Sequence, residues 1–579
     1  MSDDHIHPSK GMGLSFSEAE PLAIEHWVSE LPLVNTTETI RLLTEATDEI
    51  ATVQMSPQLR LSLLEVMRPT VHFICTRIDR AALGKPARDT QFSPHTLQRN
   101  MCNGYKLAFD DTLIAMEDEK PPPKDLLPTI GHRLLTQVAS TILRCLQYYA
   151  PIAEAFWGYL HSTFTQLERR GLEHYKLKDE ETVARDLSVQ DTYIRALLLQ
   201  TCNPNKLNHI ELTNLFNVLE EWSTHASLDK TLEDSRFIVD LAGNTPPTFR
   251  ELAQPISTSR GIRTQVLTYE IEAYLNAMSS TLVVPESMTN ELMEHALSSW
   301  ANMQPRSFQR LATEVPIRLC LGLPATHYFL SGGIEFSDQI TSTDAYLRRE
   351  INPFLEVDYE PLNRPNEDDP WGKAYDMKVP IPGNPNINTS QILTDSLERD
   401  EKERKYDHFE LLVLDRGPGG YRAEWTEHMP HVFEVGELVS LREESDPRWS
   451  VAVIRWISSG GRNAEMGIEL LAPKAIPIAA RSIEKRGSTT EFQRTLILPG
   501  LDAIGQPATM ITPTTHFAEN QKINIHRQGL STTGLLMDIV LKTKSFNQFT
   551  FRVLDGYLEN TTSNSNMPTS NTKDITRGP

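Results

Sequence analysis

The chain has 579 residues, 39% hydrophobic and 23% charged, with a formal net charge of -21. That length is too great for one core and calls for about three or four domains. No run of 18 apolar residues occurs, which excludes an apolar membrane-spanning helix, and the surplus of acid opposes binding to polyanions such as nucleic acid or an anionic membrane surface. A compact anionic ligand would therefore need arginines gathered locally.

Residues 1–16 are polar and acidic and are expected to be disordered, with His5 and His7 solvated on a loose end. They lack the basic and then apolar pattern of a secretory signal, so the chain is read as cytoplasmic. Five cysteines, Cys75, Cys102, Cys145, Cys202 and Cys320, stand far apart without C-x-x-C or C-x-x-H pairing. That spacing predicts buried, reduced thiols and no metal site.

From 17 to 228 the periodicity is helical. Asn35 with Glu38 has capping-box spacing ahead of Ile40, Leu43, Ala46 and Ile50, and Ser56-Pro57 places an N-cap and a first-turn proline before Leu63, Leu64 and Met67. Further apolar stripes follow at Leu134, Leu135, Val138 and Ile142, and at Phe156, Trp157, Tyr159 and Leu160. Aromatics at that spacing are read as core. Short Pro- and Asn-containing breaks predict antiparallel helical hairpins, packed as a bundle or short solenoid. Residues 229–303 are expected to hold a linker or small irregular insert, richest in Thr, Pro and Gly near 229–259, and then a pair of helices.

At about 315 the pattern changes to short strands. Runs at 315–321, 326–330, 409–415, 421–426, 437–442, 449–457 and 465–471 predict an antiparallel barrel or sandwich over 304–475, interrupted by an insertion at 333–408. A second β region is expected over 476–558, with strands at 491–498, 508–513, 522–528, 533–542 and 547–554. The tail, 559–579, has almost nothing to bury and is expected to be disordered. The fold class is thus α+β, an N-terminal all-α domain followed by an antiparallel β-barrel and a further small β region.

Two short segments carry the candidate chemistry. Arg306 and Arg310, four apart, stand just before the first strand, where guanidinium forks can grip phosphate bidentately and stack on a purine. The second is Asp415-Arg416-Gly417-Pro418-Gly419-Gly420, where a strand breaks at an acid and restarts after glycines. The ordered set resembles the PilZ family of small β-barrels that bind cyclic di-GMP. That family has an R-x-x-x-R segment before the first strand and a [D/N]-x-S-x-x-G segment on a later one, and here Arg306, Arg310, Asp415 and Gly420 match while Gly417 replaces the serine. Val435–Val439, Trp449–Trp456 and Met466–Leu471 look like the later barrel strands.

The resemblance covers roughly 304–332 and 409–475. It implies a cyclic di-GMP receptor in which Arg306 and Arg310 bracket the phosphates, Asp415 accepts from a guanine edge, and Gly417 and Gly420 let the backbone approach the base, with Arg416 as an extra phosphate contact. Binding at the barrel would be relayed to a protein partner through the helical domain. No nucleophile elbow, Walker loop or H-E-x-x-H motif is present, so no enzyme, cofactor or catalytic residue is predicted. Glu443-Glu444 and Asp368-Asp369 are read as solvated acids. A reading from another class is a structural or interaction protein whose barrel no longer takes a ligand.

Overall fold

The structure, a computed structural model, describes residues 13–82, 93–117, 121–179, 187–301, 311–341, 406–417, 419–425, 433–444, 448–459, 463–484, 488–500, 507–527 and 529–554. It divides into two compact units. One holds residues within 1–307 with the short segments 427–435 and 456–465, and the other holds the remainder.

The first unit is built on helices α1 (Pro21–Ser29), α2 (Thr36–Thr52), α3 (Pro57–Ala82), α4 (Pro94–Ala115), α5 (Leu126–Gln147) and α6 (Glu154–Glu168). After a two-residue β1–β2 pair (Lys176–Leu177 with Leu187–Ser188) come α7 (Val189–Thr201) and α8 (His209–Trp222). The start signals work as local chemistry requires: Asn35 accepts from the Glu38 amide at 3.2 Å, and Ser56 accepts from the Leu59 amide at 3.3 Å. Phe156 and Trp157 are buried in the shared core, as core aromatics should be, and Tyr159 packs against it. All five cysteines are buried and none forms a disulfide. Desolvation pushes the Cys102 thiol up to about 12 and Cys145 to about 11, which leaves both inert.

The stretch expected to be a linker or irregular insert instead folds. It forms a four-stranded antiparallel sheet, β3 (Ser227–Asp229), β4 (Phe237–Asp240), β5 (Thr248–Phe249) and β6 (Ser259–Arg263), in the order β3-β6-β4-β5. These strands are too short to show period-2 alternation, and pairing supplies what propensity does not. The expected helical pair follows as α9 (Gln265–Leu275) and α10 (Asn290–Ala301).

A buried ionic knot ties the segment after α6 to the bundle. The Asp179 side chain, 1% exposed, accepts from Arg68 at 2.6 and 2.9 Å and pairs with Arg133 at 2.9 Å. Glu65 meanwhile takes Arg133 at 2.8 Å and the Tyr105 hydroxyl at 2.6 Å. Removing Asp179 leaves two largely buried guanidinium groups to share Glu65 alone. Asp179→Ala is expected to cost about 3 kcal/mol or more, read in thermal unfolding as a lowered midpoint; an unchanged midpoint would show the knot to be neutral.

Two closed six-stranded barrels follow in the chain. The first is β7 (Leu311–Leu321), β8 (His408–Gly417), β9 (Gly420–Trp425), β10 (Leu438–Glu443), β11 (Ser450–Ser459) and β12 (Ala464–Ala472), and the second is β13 (Ile476–Ser482), β14 (Gln493–Leu498), β15 (Thr509–Thr512), β16 (Lys522–Arg527), β17 (Leu530–Lys542) and β18 (Asn547–Val553). Going round each ring, the order is β7-β8-β9-β12-β11-β10 in one and β13-β14-β15-β18-β17-β16 in the other. Numbered within its own barrel, each reads 1-2-3-6-5-4. The same topology is therefore used twice.

The run 326–330, expected as a strand, is part of helix α11 (Gly322–Leu330), followed by the short α12 (Phe336–Thr341). Pro324 lies in the first turn, where its missing amide costs nothing, and Gly322 takes φ +82 at the strand-to-helix corner. Leu323 of α11 enters a core shared by Leu438, Val451, Val453, Leu496 and Ile511, which joins the two barrels.

His327 of α11 is buried and its Nε2 donates to the Ile478 carbonyl of β13 at 3.0 Å. Burial, with Arg494 nearby, lowers its pKa to about 4, and burial does the same to His132 in the first unit. A ring held neutral below its ordinary value of about 6.5 keeps its full stabilisation above that pH. Stability therefore falls as pH drops from about 6.5 to 4, where the unfolded chain takes up protons that the folded one refuses. In urea unfolding, His327→Gln is expected to shrink that fall by roughly 3 kcal/mol; an identical pH profile would exclude His327 as its source.

Candidate functional site

The site is set by how β7, β8 and β9 pair. β7 opens at Leu311, the residue after Arg310, and its first residues face the acidic end of β8, with Leu311 opposite Arg416 and Ala312 opposite Asp415. A register shift between Ala312 and Val315 re-aims this end of the strand, just before Pro316, which has no amide to give to a ladder. Arg306 and Arg310 themselves, and Pro418, lie outside the described residues.

β8 and β9 form a hairpin in which Asp415 faces Arg422, Arg416 faces Tyr421 and Gly417 faces Gly420. Alternation then separates the side chains. Asp415 and Arg422 share one face, with Arg422 Nη1 3.5 Å from Asp415 Oδ2, and the Asp415 side chain is 17% exposed. Arg416 and Tyr421 share the other, with the guanidinium 5.6 Å from the ring centroid.

Glu443, at the end of β10, gathers this second face. Its Oε1 accepts from Arg416 Nη1 at 3.2 Å and from the Tyr421 hydroxyl at 3.3 Å. Glu443 was expected to be a solvated acid; its side chain is only 25% exposed and binds two partners. Its position on β10, two residues beyond buried Leu441, was the one available sign. Asp368-Asp369, the other acid pair, lie outside the described residues.

Gly420 has φ +150, and a Cβ there would run into the carbonyl oxygen of Ile468 on β12. The neighbouring Gly419 carbonyl accepts from the Leu470 amide at 2.9 Å. The glycine is thus where β12 closes on β9 directly beside Asp415. Gly420→Ala is expected to open this seam and lower the thermal midpoint. A wild-type midpoint would show the close approach to be dispensable.

Among the described residues no group of three His, Cys, Asp or Glu side chains is arranged to hold a metal ion. No described helix is long and apolar enough to cross a membrane.

Three family models match in succession. Residues 22–233 match the N-terminal domain of the cyclic-di-GMP receptor FimW, 236–477 match the middle PilZ domain of that receptor, and 478–554 match the FimW C-terminal beta-barrel domain. The chain belongs to the FimW family. The curated cyclic-di-GMP receptor FimW of Pseudomonas aeruginosa is 29% identical over 583 residues, covering 93% of this chain and 91% of that protein. No solved structure matches. The first barrel is the PilZ domain, and the match that contains it also spans Arg306, Arg310, Asp415 and Gly420. The second barrel is the family's C-terminal one.

Proposed function

We propose that this member of the FimW family binds cyclic di-GMP on the PilZ barrel, where the β7 entry meets the end of β8. The observation that carries this reading is the pairing of Leu311 and Ala312 with Arg416 and Asp415, because it delivers the chain leaving Arg310 to the edge on which Asp415 stands. Two guanidinium groups answer the two phosphates, with charge-assisted and bidentate bonds stronger than neutral ones. Asp415 accepts from the N1-H and N2-H edge of a guanine, and Arg422, 3.5 Å away, holds that carboxylate in place. The relative's printed name, a cyclic-di-GMP receptor, supports the choice of ligand.

Arg416 takes a different part in this reading. Bonded to Glu443 and lying over the Tyr421 ring, it braces the hairpin from the face opposite Asp415. Gly417 and Gly420 supply close backbone approach. Binding proceeds without turnover, in the cytoplasm, and its consequence is relayed to a protein partner through the helical unit. Such a relay requires different ligand affinity for two arrangements.

Calorimetric titration with cyclic di-GMP tests the assignment. The parent is expected to bind, Arg306→Ala or Arg310→Ala to reduce affinity at least a hundredfold, and Asp415→Ala to cost about 2 kcal/mol, near thirtyfold. No heat from the parent would leave a structural protein with a ligand-free barrel, and unchanged affinity in all three variants would move the ligand elsewhere.

A further inference from the structure

The second barrel carries a cationic and aromatic face that the PilZ reading does not use. Strand registers place Ala479 of β13 opposite Arg494 of β14 on one side and His526 of β16 on the other, with Arg481 two residues further along β13. Residues on the opposite parity, Ile478, Ala480, Ile523 and Ile525, fill the barrel core, so Ala479, Arg481, Arg494 and His526 share the outer side of the barrel wall, with Ala479 buried and the other three half-buried. Phe492, just ahead of β14, stacks under Arg481 with the guanidinium 4.5 Å from its centroid, and its ring lies 5.5 Å from that of His526. Phe336 of α12 does the same for Arg494 at 4.7 Å.

Neither guanidinium is spent internally. Among the described residues the guanidinium groups of Arg481 and Arg494 make no hydrogen bond or ion pair, and the Arg481 Nε is buried without a partner. In a chain of net charge -21, where Arg68, Arg133, Arg260 and Arg263 all have carboxylates, these two neighbouring, half-buried arginines have none among the described residues. A bound anion would fill that place. The rings add a flat surface suited to a base, since guanidinium and phenyl faces both stack on planar groups.

We propose that this outer face of the C-terminal barrel is a second binding site, taking a nucleotide with its phosphate between Arg481 and Arg494 and its base against Phe492. The site is separate from the one on the PilZ barrel and does not depend on it.

The Ala479 methyl signal, observed by NMR in the full chain, reports on the site, and GMP, guanosine and inorganic phosphate serve as probes. GMP is expected to shift that signal in the parent and equally in the Arg306→Ala/Arg310→Ala double variant. Arg481→Ala/Arg494→Ala should need at least tenfold more GMP, with Arg481→Lys/Arg494→Lys in between, and guanosine or phosphate alone should be at least tenfold weaker in the parent. An unshifted Ala479 signal, or equal GMP response in the alanine double variant, would overturn the site; equal response to phosphate and GMP would overturn its assignment to a nucleotide. An alanine double variant whose ligand-free methyl spectrum departs from the parent's leaves the lysine pair to decide. Failure of the parent to bind cyclic di-GMP in calorimetry would bear on the PilZ barrel alone.

Discussion

One ladder of main-chain hydrogen bonds, between β7 and β8, holds the candidate site together. The two strands are neighbours in space from Leu311–Arg416 to Cys320–His408, although residues 322–407 lie between them in the chain. Such an insertion is thermodynamically tolerable because closure entropy grows only with the logarithm of loop length, about 0.6 kcal/mol per doubling. The early residues of the insertion are structural in their own right, since α11 carries Leu323 and His327 into contact with both barrels. A segment that seems to interrupt the PilZ domain thus joins it to the barrel that follows.

The recurrence of one strand order in both barrels separates scaffold from site. Both close as 1-2-3-6-5-4, yet only the first has paired arginines before its first strand and an acid at the end of its second. In the second barrel the unpaired arginines lie at the far end of the first strand and the near end of the second. Topology fixes where chemistry can be placed, and side chains decide whether it is.

Acid and base are distributed unequally between structural and functional work. In the helical unit, several buried arginines are answered by acids: Arg68 and Arg133 by Asp179 and Glu65, and Arg195 by Glu220 at 3.4 Å, with the Phe216 ring 3.8 Å from its guanidinium. Around the PilZ hairpin the acids Asp415 and Glu443 hold Arg422 and Arg416 apart on opposite faces of a two-stranded ribbon. The ribbon presents its own carboxylate on the side of the proposed ligand, and β10 supplies the other for bracing.

The sequence by itself determined the helical first half, its caps at Asn35 and Ser56, the strand-rich second half, and the Arg306–Arg310 and Asp415–Gly420 segments. Each is written in a local period or a local motif. Only the tertiary structure decided that 326–330 is helix, because a five-residue apolar run carries no period and Pro324 and the contacts of α11 break the tie. Long-range pairing likewise made strands of 227–263, gave β13 its place in a second closed barrel, and turned Glu443 from an apparent surface acid into the partner of Arg416 and Tyr421. These features depend on residues far apart in the chain, and no local pattern encodes the distance between them.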